Sequence, residues 1–478
     1  MKKYLLIFCL LFATSKIFAQ AFTQYNTGTL YDSFENPAQR SFIPDSSRQF
    51  ASNFLFPNID GNFFVTGNGQ QTLKSRYFNN MYNNSALQIG NGTSFNHAHG
   101  NADAYLLMLK MFTSLHGNQE IGFFIESNAS GRGTFTDESI ALLNGFSSFP
   151  ANSYINVFNS SFQYQSDYQI GFSYREQVTK QFSFGLRLAA VTGMSYENIA
   201  IKQSSVVFDN EANNAALALS GTNQKAGFST LPFSNPGVGI SIGTEYKTQD
   251  GFVIQGNLKN MGFIHWNKNA EVYNFHNDTT IRDVSSGSRE NNVYHAITKT
   301  FTKGTKVPGA FNTPLGGTAE LSVNKSFWID DEHDFRYSPT LIASKSLAYT
   351  DFIGAMVNPV SYRNFTLSLV TSYDDMHLFN FGAQFMVKSA NAEFFIGSEK
   401  LTQSTGLLFD KLNKNRQAGP NGSFSGGDFS IGFSLKFGNV IEHPMNASVI
   451  PMGDDNKGFL GRTWDKIFNP HKGTIRNN

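Results

Sequence analysis

The run Phe162-Gln163-Tyr164-Gln165-Ser166-Asp167-Tyr168-Gln169-Ile170-Gly171-Phe172-Ser173-Tyr174 carries Phe162, Tyr164, Tyr168, Ile170, Phe172 and Tyr174 on one parity. Gln163, Gln165, Gln169, Gly171 and Ser173 fill the other. Successive side chains face opposite ways only on a strand, so a period of two reads as a strand with one greasy and one polar face. A polar turn, Glu176 to Lys180, leads to Phe182, Phe184, Leu186, Leu188 and Ala190 set against Ser183, Gly185, Arg187 and Ala189. The two runs form a hairpin.

Working outward, the alternation recurs at Val238, Ile240, Ile242 and Tyr246, at Leu321, Val323 and Phe327, and at Phe365, Leu367 and Leu369. Phe379, Phe381, Phe385 and Val387 repeat it, as do Phe429, Ile431, Phe433, Leu435 and Phe437. The spacing predicts about fourteen strands, near 47–66, 103–115, 120–130, 155–175, 181–199, 235–247, 252–266, 317–328, 335–348, 350–360, 363–373, 377–388, 392–400 and 428–438. Tight joints such as 247–251 and 389–391 alternate with long ones near 200–235, 267–316 and 401–427. Short turns on one side and long loops on the other mark an all-β, transmembrane, antiparallel up-and-down β-barrel. An even count returns the last strand to the side from which the first set out. Closure is obligatory, because an open edge in hydrocarbon would leave unpaired backbone groups.

Composition agrees with a barrel wall. The chain has 48 Phe, 18 Tyr and 42 Gly but only 15% charged residues, and its mean hydropathy is −0.27. Beyond the N-terminus no stretch approaches the roughly 18 to 20 apolar residues of a spanning helix. Interrupted, aromatic-rich hydrophobicity is what alternate lipid-facing and lumen-facing residues produce.

The N-terminus reads as an export signal: Lys2 and Lys3, then the apolar run Tyr4 to Ala13, then Ile17-Phe18-Ala19-Gln20, with cleavage expected after Ala19. The single Cys9 lies inside that signal, so the mature chain has no thiol, which excludes disulfides, thiolate metal sites and cysteine nucleophiles. Cleavage leaves about 478 − 19 = 459 residues. It also removes Lys2, Lys3 and Lys16, so 37 basic residues become 34 against 36 acidic, a net charge of −2 that offers nucleic acid nothing. The expected organisation is a signal (1–19), a polar N-terminal plug or periplasmic segment (20–46), the barrel (47–438) and a periplasmic C-terminal tail (439–478), with both termini of the mature chain in the periplasm.

Within the N-terminal segment, Asn36-Pro37-Ala38 resembles the Asn-Pro-Ala plug element of FadL-type fatty-acid transport barrels. Leu30-Tyr31-Asp32-Ser33-Phe34-Glu35-Asn36-Pro37-Ala38-Gln39 and Leu258-Lys259-Asn260-Met261-Gly262-Phe263-Ile264-His265-Trp266 are similar to an uncharacterised family of FadL-like barrels from Bacteroidota, over about 24–438. The resemblance implies a fourteen-stranded barrel with a plug at Asn36, Pro37 and Ala38 and a lumen that binds hydrophobic molecules. Related PorV/PorP-like barrels serve type IX secretion and gliding machinery, which implies a structural or adaptor role as the other reading.

Among polar side chains, Arg175 and Arg187 sit opposite in parity to the aromatics of their strands and should project into the lumen, as contacts for an anionic headgroup or as members of a structural network. Asn96, His97, His99 and Asp103 have metal-like spacing but read as a polar loop, Asp330-Asp331-Glu332-His333-Asp334 as a solvated turn, and Asp454-Asp455-Asn456-Lys457-Gly458 lacks the pattern of a calcium loop. Trp266, with Phe263 and Ile264, is expected in an interfacial aromatic girdle. No nucleophile elbow, phosphate loop or dinucleotide fingerprint occurs, so neither enzyme activity nor a cofactor is expected. The expected partners are outer-membrane lipid, the barrel-assembly machinery during insertion, and a periplasmic protein contacted through Trp464, Ile467 and Phe468 of the tail, beside Arg462 and Lys466. The expected function is passive passage of a small hydrophobic molecule.

Overall fold

The computed structural model describes residues 22–44, 48–113, 117–228, 233–267, 270–348, 351–374, 376–412, 424–438 and 461. The expected signal, and Trp464, Ile467 and Phe468 of the tail, lie outside the described residues, as does 454–458. In chain order the strands are β1 (Phe50–Ser52), β2 (Asn58–Thr66), β3 (Phe95–Phe112), β4 (Gln119–Thr136), β5 (Ser153–Ile155), β6 (Ser161–Gln177), β7 (Phe182–Asp209) and β8 (Asn214–Ala226). There follow β9 (Pro236–Lys247), β10 (Phe252–Trp266), β11 (Glu271–Arg282), β12 (Thr305–Pro308), β13 (Phe311–Pro314), β14 (Thr318–Lys325), β15 (Phe327–Trp328) and β16 (Phe335–Tyr337). The last are β17 (Thr340–Ser346), β18 (Phe352–Tyr362), β19 (Phe365–Asp374), β20 (Phe379–Lys388), β21 (Ala392–Ser398) and β22 (Phe424–Phe437). The helices are α1 (Leu30–Glu35), α2 (Gly69–Asn79), α3 (Asp137–Ala141), α4 (Arg289–Phe301) and α5 (Leu401–Leu412).

These strands close into an antiparallel barrel of fourteen, with β1 and β2 forming one wall strand and β13 and β14 another. Neighbours in sequence pair all round the wall, and β22 returns to pair with β1 and β2 (Ile59↔Ile431, Phe50↔Phe437), so no edge is left open. The parity read from residues 162–174 holds: Phe172 is 64% exposed on the outer face, while Gly171 and Ser173 are buried against the inside. Leu188, Leu321, Leu341, Leu367 and Phe381 continue the apolar outer band, the surface a bilayer requires.

Two expectations are corrected. Much of the long loops near 200–235 and 267–316 is strand. β7 runs for 28 residues, against the roughly 9 to 11 that cross hydrocarbon. Its outer part joins β5, β8, β11 and β12 in a sheet standing beyond one end of the barrel, hereafter the far end. Leu142, Phe158, Phe208, Leu217, Phe275 and Val293 of α4 form a closed core beneath that sheet. Polar and charged residues break up the apolar positions of β11 and of the outer part of β7, so alternation is weak in sequence, and pairing with a neighbour supplies what hydrophobic patterning does not. Trp266 is not in a girdle. It shares parity with Ile264 rather than Phe263, turns inward, is fully buried, and donates its indole N–H to Thr313 Oγ1 (2.9 Å) beside Tyr196 and Phe311.

Candidate functional site

Residues 22–44 lie inside the barrel. Thr29 begins α1 as its N-cap, extended at φ −96°, with its hydroxyl accepting from Asp32 N–H (3.2 Å). Pro37 ends the helix by forcing Asn36 out of the helical region (φ −119°, ψ 100°), and Asn36 Oδ1 accepts from Ala38 N–H (3.1 Å) to set the next turn. Leu30, Tyr31 and Phe34 on this short helix pack against Tyr105, Phe124 and Phe395 of the wall.

The Asn36-Pro37-Ala38 turn has its own seat. Gly185 of β7 and Gly243 of β9 are direct cross-strand partners on the inner face. A Cβ at 185 would come within 2.0 Å of the Pro37 carbonyl carbon, and one at 243 within 2.3 Å of Asn36 Oδ1. Only a glycine pair lets the main chain approach the wall this closely.

Wall side chains then take hold of the segment's backbone from several directions. Arg175 Nε donates to Ala38 O (2.8 Å), Arg187 Nη1 to Phe34 O (3.3 Å), Lys110 Nζ to Ser33 O (3.1 Å) and Lys388 Nζ to Thr27 O (3.0 Å). Carboxylates supply the complementary contacts: Glu393 Oε2 accepts from Leu30 N–H (3.1 Å), and Glu120 Oε2 accepts from Ser41 N–H (3.3 Å) and its hydroxyl (2.9 Å). The segment's own Glu35 receives Tyr105 Oη–H (2.7 Å) and pairs with Lys259 (3.0 Å), which also pairs with Glu320 (3.0 Å).

The wall charges are themselves paired, as burial demands. Glu120 lies 3.9 Å from Lys110 and 3.7 Å from Arg175, and Lys436 lies 2.6 Å from Glu393. Arg187 pairs with Glu126 and stacks its guanidinium 3.9 Å from the centre of the Phe124 ring. Register explains the convergence. Glu120, Arg175, Gly185, Gly243, Asn257 and Glu320 are successive cross-strand partners through β4, β6, β7, β9, β10 and β14. They form one level of the inner wall.

Both arginines singled out from sequence therefore sit in the lumen against the segment, as does Asn36-Pro37-Ala38. Lys110, Glu120, Lys259, Glu320, Lys388 and Glu393 were missed; parity opposite to the outward apolar run was a usable signal at Glu320 and Lys388, whereas Phe112, Phe124 and Phe395 share the inner parity of Lys110, Glu120 and Glu393 and blur it. Asn96, His97, His99 and Asp103 are not in a loop but in strand β3, paired with β4. His97 and His99 are on one side of it as spaced, but His99 stacks on Phe64 (4.7 Å between ring centres), and among the described residues no three His, Cys, Asp or Glu side chains gather as a metal group. Asp330 closes its turn by accepting from Asp334 and Phe335 N–H. In the tail, Gly461 N–H donates to Glu176 Oε1 (2.7 Å) near the end of β6, at the parity of Phe172 and Tyr174 rather than of Arg175.

The arc β17–β19 differs from this. Its inner face has Ile342, Ala355, Val357 and Val370 packed against Phe22 and Tyr25. Its outer face bears an open apolar hollow of about 460 Å³, where Ala343, Gly354 and Thr371 are flanked by Leu341, Met356 and Phe379.

A family model described as a family of unknown function matches residues 47–399. No curated protein matches the sequence. Solved structures that resemble the chain include the toluene transporter TbuX of Ralstonia pickettii (TM-score 0.41, 11% identity, covering 86% of this chain and 94% of that one). Others are the toluene transporter TodX of P. putida (0.40, 11%, 85% and 93%) and a FadL homologue of Pseudomonas aeruginosa (0.38, 10%, 82% and 90%).

Proposed function

The chain belongs to the family of unknown function DUF5723, and from its geometry we propose that it is an outer-membrane transport barrel stoppered by its own N-terminal segment. In this reading an export signal is removed, both ends of the mature chain face the periplasm, and the long connections with their sheet face outside. The carrying observation is the grip of Lys110, Arg175, Arg187 and Lys388 on four carbonyls of residues 27–38. Hydrogen bonds from charged donors contribute about 1.5–3 kcal/mol each, so the segment leaves the charged arc only if several break together.

A solute that passes with the segment in place meets least resistance along β17–β19, where Phe22 and Tyr25 pack against Ile342, Ala355, Val357 and Val370. That face suits a small hydrophobic molecule. Planar-bilayer recordings test the stopper: wild type should conduct little, and a variant lacking residues 22–44 should open large, steady channels. Equal conductance in folded preparations of both would end the proposal.

A second reading is an adaptor barrel in an envelope assembly, of the secretion or gliding kind. It is favoured by the folded far-end sheet, which a simple pore does not need. Recovery of one stoichiometric partner with the intact chain, lost on deleting 443–478, would support it.

A further inference from the structure

Four inner-face residues lie beyond the segment toward the far end, where β2 and β3 run side by side. Asp60 is the direct cross-strand partner of Asp103, and Asn62 of Asn101, so the four side chains form a two-by-two patch on one face. Partners across strands have Cβ atoms roughly 4.5–5.5 Å apart, and the two rows are separated by about 6.6 Å along the strand. Four oxygen-bearing side chains at those spacings can close on one centre.

The hydrogen bonding of this patch is one-sided. Among the described residues Asp60 Oδ1, Asn62 Oδ1 and Asn101 Oδ1 are buried acceptors without a donor, and Asp60 and Asn62 are only 7% and 8% exposed. Orphaned buried acceptors are rare, and three side by side call for a group that is electron-poor. Asp103 is meanwhile held in place. Asn101 Nδ2 donates to its Oδ2 (3.1 Å), and the Asn128 amide, oriented with its nitrogen toward the carboxylates, donates to its Oδ1 (2.7 Å). Such outer contacts orient a ligating carboxylate without removing its remaining lone pairs.

Charge points the same way. The strongest electrostatic neighbours of Asp60 are Asp103, Glu399, Asp428 and Lys400, three carboxylates to one cation. Lys400 Nζ lies over the Phe64 ring (5.5 Å to its centre), and Asp428 is saturated by Ser398 Oγ–H and by the Glu399 and Lys400 N–H groups.

We propose that Asp60, Asp103, Asn62 and Asn101 form a calcium site in the lumen, two carboxylates and two amide oxygens completed by water. An all-oxygen, mixed carboxylate and amide set with adaptable spacing suits calcium, whereas magnesium demands a tight octahedron and softer metals want imidazole or thiolate. The site belongs to the wall and stands whether or not residues 22–44 stopper the lumen.

The test is calorimetric titration of calcium chloride into the full-length, chelator-treated protein in detergent, with folding followed by heat-modifiable migration on gels. Wild type should bind one calcium with a dissociation constant of about 10⁻⁴–10⁻³ M, the range of extracellular modules. Asp60→Asn and Asp103→Asn should each weaken binding at least tenfold. Asn62→Asp, which adds a third carboxylate, should tighten it about tenfold, a gain that misfolding cannot mimic. Absence of binding to wild type, or identical affinity in Asp60→Asn and Asn62→Asp, would overturn the assignment.

Discussion

Along β3, β4, β6, β7, β10 and β14 the inner wall presents Lys110, Glu120, Glu126, Arg175, Arg187, Lys259 and Glu320, whereas along β17, β18 and β19 it presents Ile342, Ser344, Ala355, Val357, Ser368 and Val370. The first arc holds residues 33–41 by charge-assisted bonds to main-chain atoms, and the second touches Phe22 and Tyr25 by apolar contact. The difference separates two tasks of one cylinder. Directional bonds from buried, paired charges fix a segment in one pose, while non-directional contacts cost little to rearrange.

The sharpest way to break this comparison is to remove a charge from the first arc and a polar group from the second. Arg187→Ala leaves Glu126 buried without its partner and should cost about 3–5 kcal/mol. Ser368→Ala removes a buried hydroxyl that has no partner among the described residues and should change stability by less than about 1 kcal/mol. Urea unfolding in vesicles measures both, and equal losses would show that the charged arc is not special.

A backbone contrast comes next. Gly185→Val drives a side chain into the Pro37 carbonyl and should cost about 1–3 kcal/mol and raise single-channel conductance by displacing the segment. Gly354→Val lies on the outer face of the second arc, where an added Cβ meets nothing within 4 Å, and should shift stability by no more than about 0.5 kcal/mol. Matched conductance in the two variants would refute the glycine seat.

The smallest effect asks whether ionic fastening is confined to the lumen. At the far end Glu290 of α4 accepts from Arg76 Nη2 (2.8 Å) on α2 and from the Tyr82 hydroxyl. Burial pushes its carboxyl up, but those hydrogen bonds and the Arg76 charge outweigh burial and hold it below the usual carboxylate range. A depressed folded value means the stabilisation is complete above the unfolded value of about 4.5 and is lost as pH falls through the folded one. Hydrogen-exchange protection of α2 and α4 should therefore fall below pH 4.5 in wild type. Glu290→Gln should lose about 1–2 kcal/mol of protection at pH 7 and converge with wild type in acid. A pH-independent difference would remove Glu290 from the link.

The wall was legible because its signal is local. Phe172 beside Gly171 and Ser173 already states which face is which, and a period of two needs no knowledge of neighbours. Fourteen wall strands followed, and so did the inward aim of Arg175 and Arg187. Strand ends were less legible: β3 begins at Phe95 and β7 reaches Asp209 because pairing continues where hydrophobic alternation fades. Trp266 misled because a register shift between Leu258 and Met261 exchanges inner and outer parity along β10, so a residue in step with the outward Phe252, Ile254 and Leu258 turns inside.

What the sequence by itself determined is the barrel, its two faces and the polar N-terminal stretch available to enter it, all consequences of residue-by-residue alternation. The tertiary structure alone decided that Glu120, Arg175, Gly185, Gly243, Asn257 and Glu320 stand at one level, that a glycine pair receives Pro37, and that Asp60 meets Asp103. Those facts depend on register between strands far apart in the chain. Register is set by closure of the whole sheet, where a slip of one residue would exchange every inner and outer side chain.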